Sequence, residues 1–158
     1  MKLFLDTEFT DLVPGNKLIS IALVDENEDF FYAELTDTYE LKDCSEFVKS
    51  FVLPFLFGGT HWQMSSYHCA LKLGNWIEDR GEDCILACDN PGWDMPHLRK
   101  LLESCWPENL HKNQYHPVYV PAHIEEDIVL ENDFWVHNAL HDAMVMKKSA
   151  DLQKILKF

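Results

Sequence analysis

Three apolar, β-prone runs crowd the start of the chain, and the spacers between them are short. Lys2 to Asp6 reads as a brief buried strand, Leu18 to Val24 as a second, and Asp29 to Leu35, aromatic and partly alternating, as a third. Pro14-Gly15, inside Leu12 to Asn16, marks a turn between the first two. Strands joined by tight turns pair antiparallel, so this opening predicts a meander.

Beyond the meander the pattern changes to alternating helix and strand. Ser45 to Phe57 has helical character, with Ser45 as a candidate N-cap and Pro54 as an interruption, and Gly58-Gly59 breaks the chain. Ser65 or Ser66 can cap a helix whose apolar face is Tyr67, Ala70, Leu71, Gly74 and Ile77, closing at Gly81. Cys84 to Cys88 is a buried strand, and Trp93 to Cys105 is helical with Asp94, Leu98, Leu101 and Leu102 near one side. Pro107 to His116 reads as a loop and Val118-Tyr119-Val120 as a candidate short strand. Asn138 is a candidate N-cap for a last helix, whose Ala139, Ala143, Met146 and Ala150 make a small-residue face suited to lying on a sheet. The expected fold is α/β: a mixed sheet, antiparallel meander plus parallel strands, flanked by helices.

At 158 residues the chain is expected to form one domain, residues 1–158, and its 47% hydrophobic content suits a packed core. No apolar run approaches the roughly 20 residues that span a bilayer, so no membrane partner is expected. Asp6 comes too soon for the apolar region of a signal peptide. Five cysteines without a C-x-x-C pair point to reduced thiols and a cytoplasmic location. The formal charge of −14 is the awkward number, because chains that grip nucleic acid by its phosphates carry a basic footprint. Any nucleic acid must therefore be held locally, at a short single-stranded end, through metal ions, stacking and backbone amides.

Four carboxylates and a histidine stand at element boundaries. In an extended segment side chains alternate, so Asp6 and Glu8 share one face with Thr7 opposite. Asp94 follows Asn90-Pro91-Gly92-Trp93 at a helix start, with Asp89 a rival for the same role. His137 and Asp142 lie five apart at the start of the last helix. His141, four after His137, offers a competing pair for Zn²⁺, but no third ligand of defined spacing accompanies it. Each piece alone also reads blandly, as a solvated strand end, an acid favoured by a helix dipole, or a polar first turn. Four acids at one point would repel each other unless divalent cations lay between them, and hard oxygen ligands suit Mg²⁺ or Mn²⁺. A histidine beside such a cluster is a ready general base. Phe9, Trp62, Trp93 and Trp106 are candidate stacking platforms, Phe9 foremost because it adjoins the acids, with core packing the default for each. Lys147, Lys148, Lys154 and Lys157 read as a solvated helix face, and His61, His68, His97, His111, His116 and His123 as surface residues.

Taken in order, Asp6-x-Glu8, then Asn90 with Asp94 and Leu98, then His137-x-Ala139-x-x-Asp142-Ala143 resemble the three motifs of the DEDDh exonucleases. These are metal-dependent 3′→5′ nucleases on a ribonuclease H-like fold. The likeness runs from Asp6 to Asp142, and the short chain with Asp-Thr-Glu-Phe after its first strand is most similar to the small bacterial and phage 3′→5′ exoribonucleases of that family. The stretch from Thr36 to Ser65 matches no motif. The resemblance implies two ions: Asp6, Glu8 and Asp142 on the first, Asp6 shared with the second, and Asp94 supporting the second through water. It implies that His137 takes the proton of the attacking water and that nucleoside 5′-monophosphates are released. The expected partner is a single-stranded nucleic-acid 3′ end, RNA ahead of DNA, touched by Phe9, Asn90 and Trp93; a second copy of the chain is a further candidate. Three alternatives stand beside this: a DNA-directed exonuclease of the same type, a ribonuclease H-like nuclease cutting internally, and a non-catalytic nucleic-acid-binding module. The His-containing third motif tells against internal cutting, and five filled positions tell against a decayed site.

Overall fold

The computed structural model describes residues 1–156. Strands β1 (Lys2–Phe9), β2 (Leu18–Asp25) and β3 (Phe30–Leu35) form the antiparallel meander. A short helix α1 (Glu46–Phe51) and a 3₁₀ turn (Leu53–Phe55) follow, then a two-residue strand β4 (Gln63–Met64). Helix α2 (Ser66–Glu78), strand β5 (Cys84–Cys88), helix α3 (Pro91–Leu101), strand β6 (Leu110–Pro117) and helices α4 (Ala122–Asn132) and α5 (Ala139–Leu156) complete the chain. The six strands make one mixed sheet in the order β4-β3-β2-β1-β5-β6, with β4, β5 and β6 running parallel to their neighbours. Among the described residues no helix is long and apolar enough to cross a membrane.

The two faces of the sheet follow from side-chain alternation. Leu3, Leu5, Ile21 and Leu23 point to one side, where Cys69, Leu73 and Ile77 of α2 and Met95 and Leu98 of α3 cover them. Phe4, Ala22 and Val24 point to the other side, against Ala139, Ala143 and Met146 of α5. The small residues of α5 let the helix axis approach the centre of the sheet, which brings its first turn over the end of β1. α1 packs separately, burying Val48 against Ile19 and Cys44.

Several local expectations need correction. Pro107 to His116 is not simply a loop, and Val118 to Val120 is not a strand: β6 occupies Leu110–Pro117. Its ladder steps from Cys84↔Leu110 to Leu86↔Tyr115, so the residues between bulge out of register, and their polar, exposed side chains hid the strand. α2 buries Ala70, Gly74 and Ile77 as expected, but Cys69 and Leu73 complete the inward face while Tyr67 and Leu71 are exposed. α3 begins at Pro91, suited to a first helical position, and ends at Leu101. Lys147 is no solvated side chain: it is buried, with its ammonium 2.7 Å from Asp151 and 3.2 Å from Glu28. Lys148 and Lys154 also meet carboxylates, and Lys157 lies outside the described residues.

A candidate metal centre at the end of the first strand

β1 delivers Asp6 and Glu8 to the α5 side of the sheet and Thr7 to the opposite side, where the Thr7 hydroxyl donates to Asp94 Oδ1 at 2.6 Å. The Thr7 amide donates to the same oxygen at 3.1 Å, which pins Asp94 in the first turn of α3. Asp94 is 2% exposed, and its other oxygen, Oδ2, is buried without a partner among the described residues. A buried, unpaired carboxylate oxygen is costly, and a cation would satisfy it.

The third segment is shaped by Asn138, which is fully buried. Its side-chain oxygen accepts from the His141 amide at 3.3 Å, capping α5, while its Nδ2 donates to Phe55 O at 2.8 Å. His137, just before the cap, adopts a left-handed backbone with φ of 62°, uncommon outside glycine. Its amide donates to Asp142 Oδ2 at 3.1 Å, so the two residues of this motif orient one another.

These pieces converge in one cleft of about 880 Å³. Glu8, His137 and Asp142 offer one triad of ligand atoms, and Asp6, Asp89 and Asp94 another, each with its atoms within 4.8 Å of one another. Asp89 and Asp94 are thus not alternatives; both lie beside Asp6. Glu125 of α4 also lines the cleft, and α4 itself, polar and without a marked apolar period, carried no signal in the sequence.

The electrostatics are those of an uncompensated acid cluster. Burial first, then Asp142, Asp94 and other neighbouring acids, hold Asp6 well above the ordinary carboxylate range. Glu8 is pushed up to about 8 by burial and by Asp142 and Asp94. Asp94 rises to about 7, burial outweighing the two bonds from Thr7, and Asp142 rises to about 7 through burial and the charge of Glu125. Among the described residues that line the cleft none is Lys or Arg, so nothing in its lining balances this charge.

Of the stacking candidates, Phe9 and Trp93 line the cleft with their rings 5.7 Å apart, and Asn90 lines it too. Trp62 and Trp106 do not belong to it. Trp62 packs on Tyr32 and Phe57, and Trp106 donates from Nε1 to Leu110 O at 2.9 Å. His97 is half-buried against Phe9 rather than a surface residue. His141 makes no pair with His137: its Nδ1 accepts from the Trp135 amide at 2.8 Å and its ring stacks on Phe134. Phe47 is the residue that sequence reasoning does not find. It comes from the stretch that matches no motif, yet its ring meets the His137 imidazole edge-on at 5.1 Å and it is half exposed at the cleft.

Fold and site together define an α/β domain with a mixed six-stranded sheet and a carboxylate-rich cleft that could hold divalent metal. No family model matches the chain, and no curated protein matches it in sequence.

Proposed function

We propose that the protein is a metal-dependent 3′→5′ exonuclease of the DEDDh type on a ribonuclease H-like fold, acting on single-stranded ends, RNA ahead of DNA. The observation that carries this reading is the meeting of Asp6, Glu8, Asp94, Asp142 and His137 in one cleft, from three distant segments, in the order and spacing the resemblance implies. The oxygen-rich donor set, the unpartnered Asp94 Oδ2 and the raised proton affinities all fit Mg²⁺ or Mn²⁺. Glu8 and Asp142 would hold one ion and Asp6 and Asp94 a second, with Asp89 added to the expected set. Bound there, the ions would supply Lewis-acid stabilisation of the charge that develops on the phosphate.

The chain's own groups do the rest. His137, tied to Asp142 through its backbone amide and propped by Phe47, takes the proton of a water that adds to the terminal phosphorus. The bond to the neighbouring nucleotide's 3′-oxygen breaks, that oxygen gains a proton, and a nucleoside 5′-monophosphate leaves. Phe9 and Trp93 offer an aromatic wall for the terminal base. The decisive assay uses 5′-labelled single strands of RNA and DNA with and without Mg²⁺. A metal-dependent ladder that a 3′-phosphate blocks is expected. Cutting of a circular strand at a comparable rate would move the assignment to an internal nuclease, and no turnover of any strand would leave a binding module.

A further inference from the structure

Among the described residues the carboxylate-rich cleft has no Lys or Arg in its lining, yet a strand longer than one nucleotide carries further phosphates out of it. On the far side of the Val118–Tyr119 segment lies a second, smaller cleft of about 250 Å³. Both clefts share Val118 and Tyr119, and the second is lined by Lys2, His116, Gln153 and Lys154. Its walls come from three elements: the start of β1, the end of β6 and the outer face of α5.

Two lysines and a histidine meet here in a strongly acidic chain, while Lys72, Arg99, Lys100 and Lys112, which also lack a carboxylate partner among the described residues, line neither cleft. In a chain of −14, Lys17, Lys49, Arg80, Lys147 and Lys148 are each tied to carboxylates. Lys2 has no carboxylate partner for its side chain among the described residues; its ammonium instead sits 3.3 Å from His116 Nε2. Lys154 reaches Asp151 at 3.3 Å and Glu26 at 3.8 Å, but it is half exposed, and such pairs are weak enough to be exchanged for a phosphate. Gln153 donates to Tyr119 O at 2.8 Å, holding the dividing segment against α5. Tyr119 itself is 76% exposed on the ridge between the clefts.

Resting on the exonuclease reading, the geometry points to a second anion site, formed by Lys2, His116 and Lys154, that holds a backbone phosphate on the 5′ side of the terminal nucleotide, with the strand crossing Tyr119. The charged groups that act on His116 are Lys2 from β1 and Lys154 from α5, and Lys154 in turn meets Asp151 of α5 and Glu26 of the β2–β3 turn. Burial, then Lys2 and Lys154, lower the proton affinity of His116, so an anion seated among the three would reverse that push.

The test compares the parent with the double variant Lys2→Gln, His116→Gln on two substrates with Mg²⁺: the p-nitrophenyl ester of a nucleoside 5′-monophosphate and a single-stranded oligonucleotide. Neither residue belongs to the carboxylate-rich cleft, so hydrolysis of the ester is expected unchanged, which also reports an intact fold. The KM for the oligonucleotide is expected to rise about 10-fold, the scale of one charge-assisted hydrogen bond. Its dependence on salt should become shallower by about 0.7 in log–log slope for each phosphate no longer held. An unchanged KM and salt slope, in a parent that cleaves the strand, would overturn the site. Should the parent hydrolyse neither substrate, the nuclease reading fails separately. The His116 proton resonance, titrated with inorganic phosphate and with the oligonucleotide, then decides the anion site. A raised His116 pKa with the oligonucleotide, absent in Lys2→Gln, supports it; a response to inorganic phosphate alone, or none, overturns it.

Discussion

Glu8→Gln should make the metal-free protein more stable, although it removes a central residue of the site. Glu8 ionises at about 8 in the folded chain against 4.5 when unfolded, because burial and the charges of Asp142 and Asp94 disfavour its carboxylate. A raised folded-state value means that the favourable contribution is complete below 4.5 and is lost as pH rises through about 8. Each pH unit crossed in that window costs about 1.4 kcal/mol, so ionising Glu8 among Asp142 and Asp94 costs on the order of 3 kcal/mol by pH 7. A glutamine at this position carries no such penalty. For a chain of this length, that is a rise in Tm of roughly 5–10 °C. The assay is thermal unfolding of parent and Glu8→Gln in chelator at pH 4.5 and pH 7, then at pH 7 with millimolar Mg²⁺ or Mn²⁺. The variant should match the parent at the lower pH and exceed it at the higher one. Metal should reverse the order, since ions binding only the folded state stabilise it and the variant lacks a ligand. A variant no more stable than the parent at pH 7 without metal, or a difference of the same size at both pH values, would refute the reasoning.

Other outcomes follow from the same geometry. His137→Ala should lower the rate of strand hydrolysis by roughly 10²–10⁴-fold, the range for a general base, while metal-induced stabilisation persists because the carboxylates remain. His141→Ala should keep most activity and lose about 1–2 kcal/mol in denaturant unfolding, since its partners are the Trp135 amide and the Phe134 ring. Asn138→Ala removes the α5 cap and the bond to Phe55 O; a loss of roughly 2–3 kcal/mol is expected, together with a reduced kcat as the turn between His137 and Asp142 loosens. Glu34→Ala should cost roughly 3–5 kcal/mol in the same unfolding assay, because the buried Glu34 carboxylate accepts from Tyr32, Phe57 and Gly58, which would be left without it.

Local spacing along the chain predicts most of the periodic elements. The meander, the buried Cys84–Cys88 strand and the small-residue stripe of α5 are local patterns, and they appear where spacing put them. Asp6, Glu8, Asp94, His137 and Asp142, which the fold brings to one cleft, were singled out by the order and spacing of three motifs taken together, since each piece alone reads blandly. Features without a local pattern depend on long-range packing instead. β6 is polar and bulged, so only its pairing with β5 makes it a strand. Lys147 pairs with Asp151 one turn on, and also with Glu28, far away in the chain, a contact no local pattern encodes. Whether Asp89 competes with Asp94 or joins it, and whether His141 shares the site of His137, depended on where the Thr7 hydroxyl and the Trp135 amide hold their partners. Phe47 reaches His137 from a segment with no motif, since a contact between distant segments depends on how α1 packs against the sheet, which no neighbouring residue in the chain encodes.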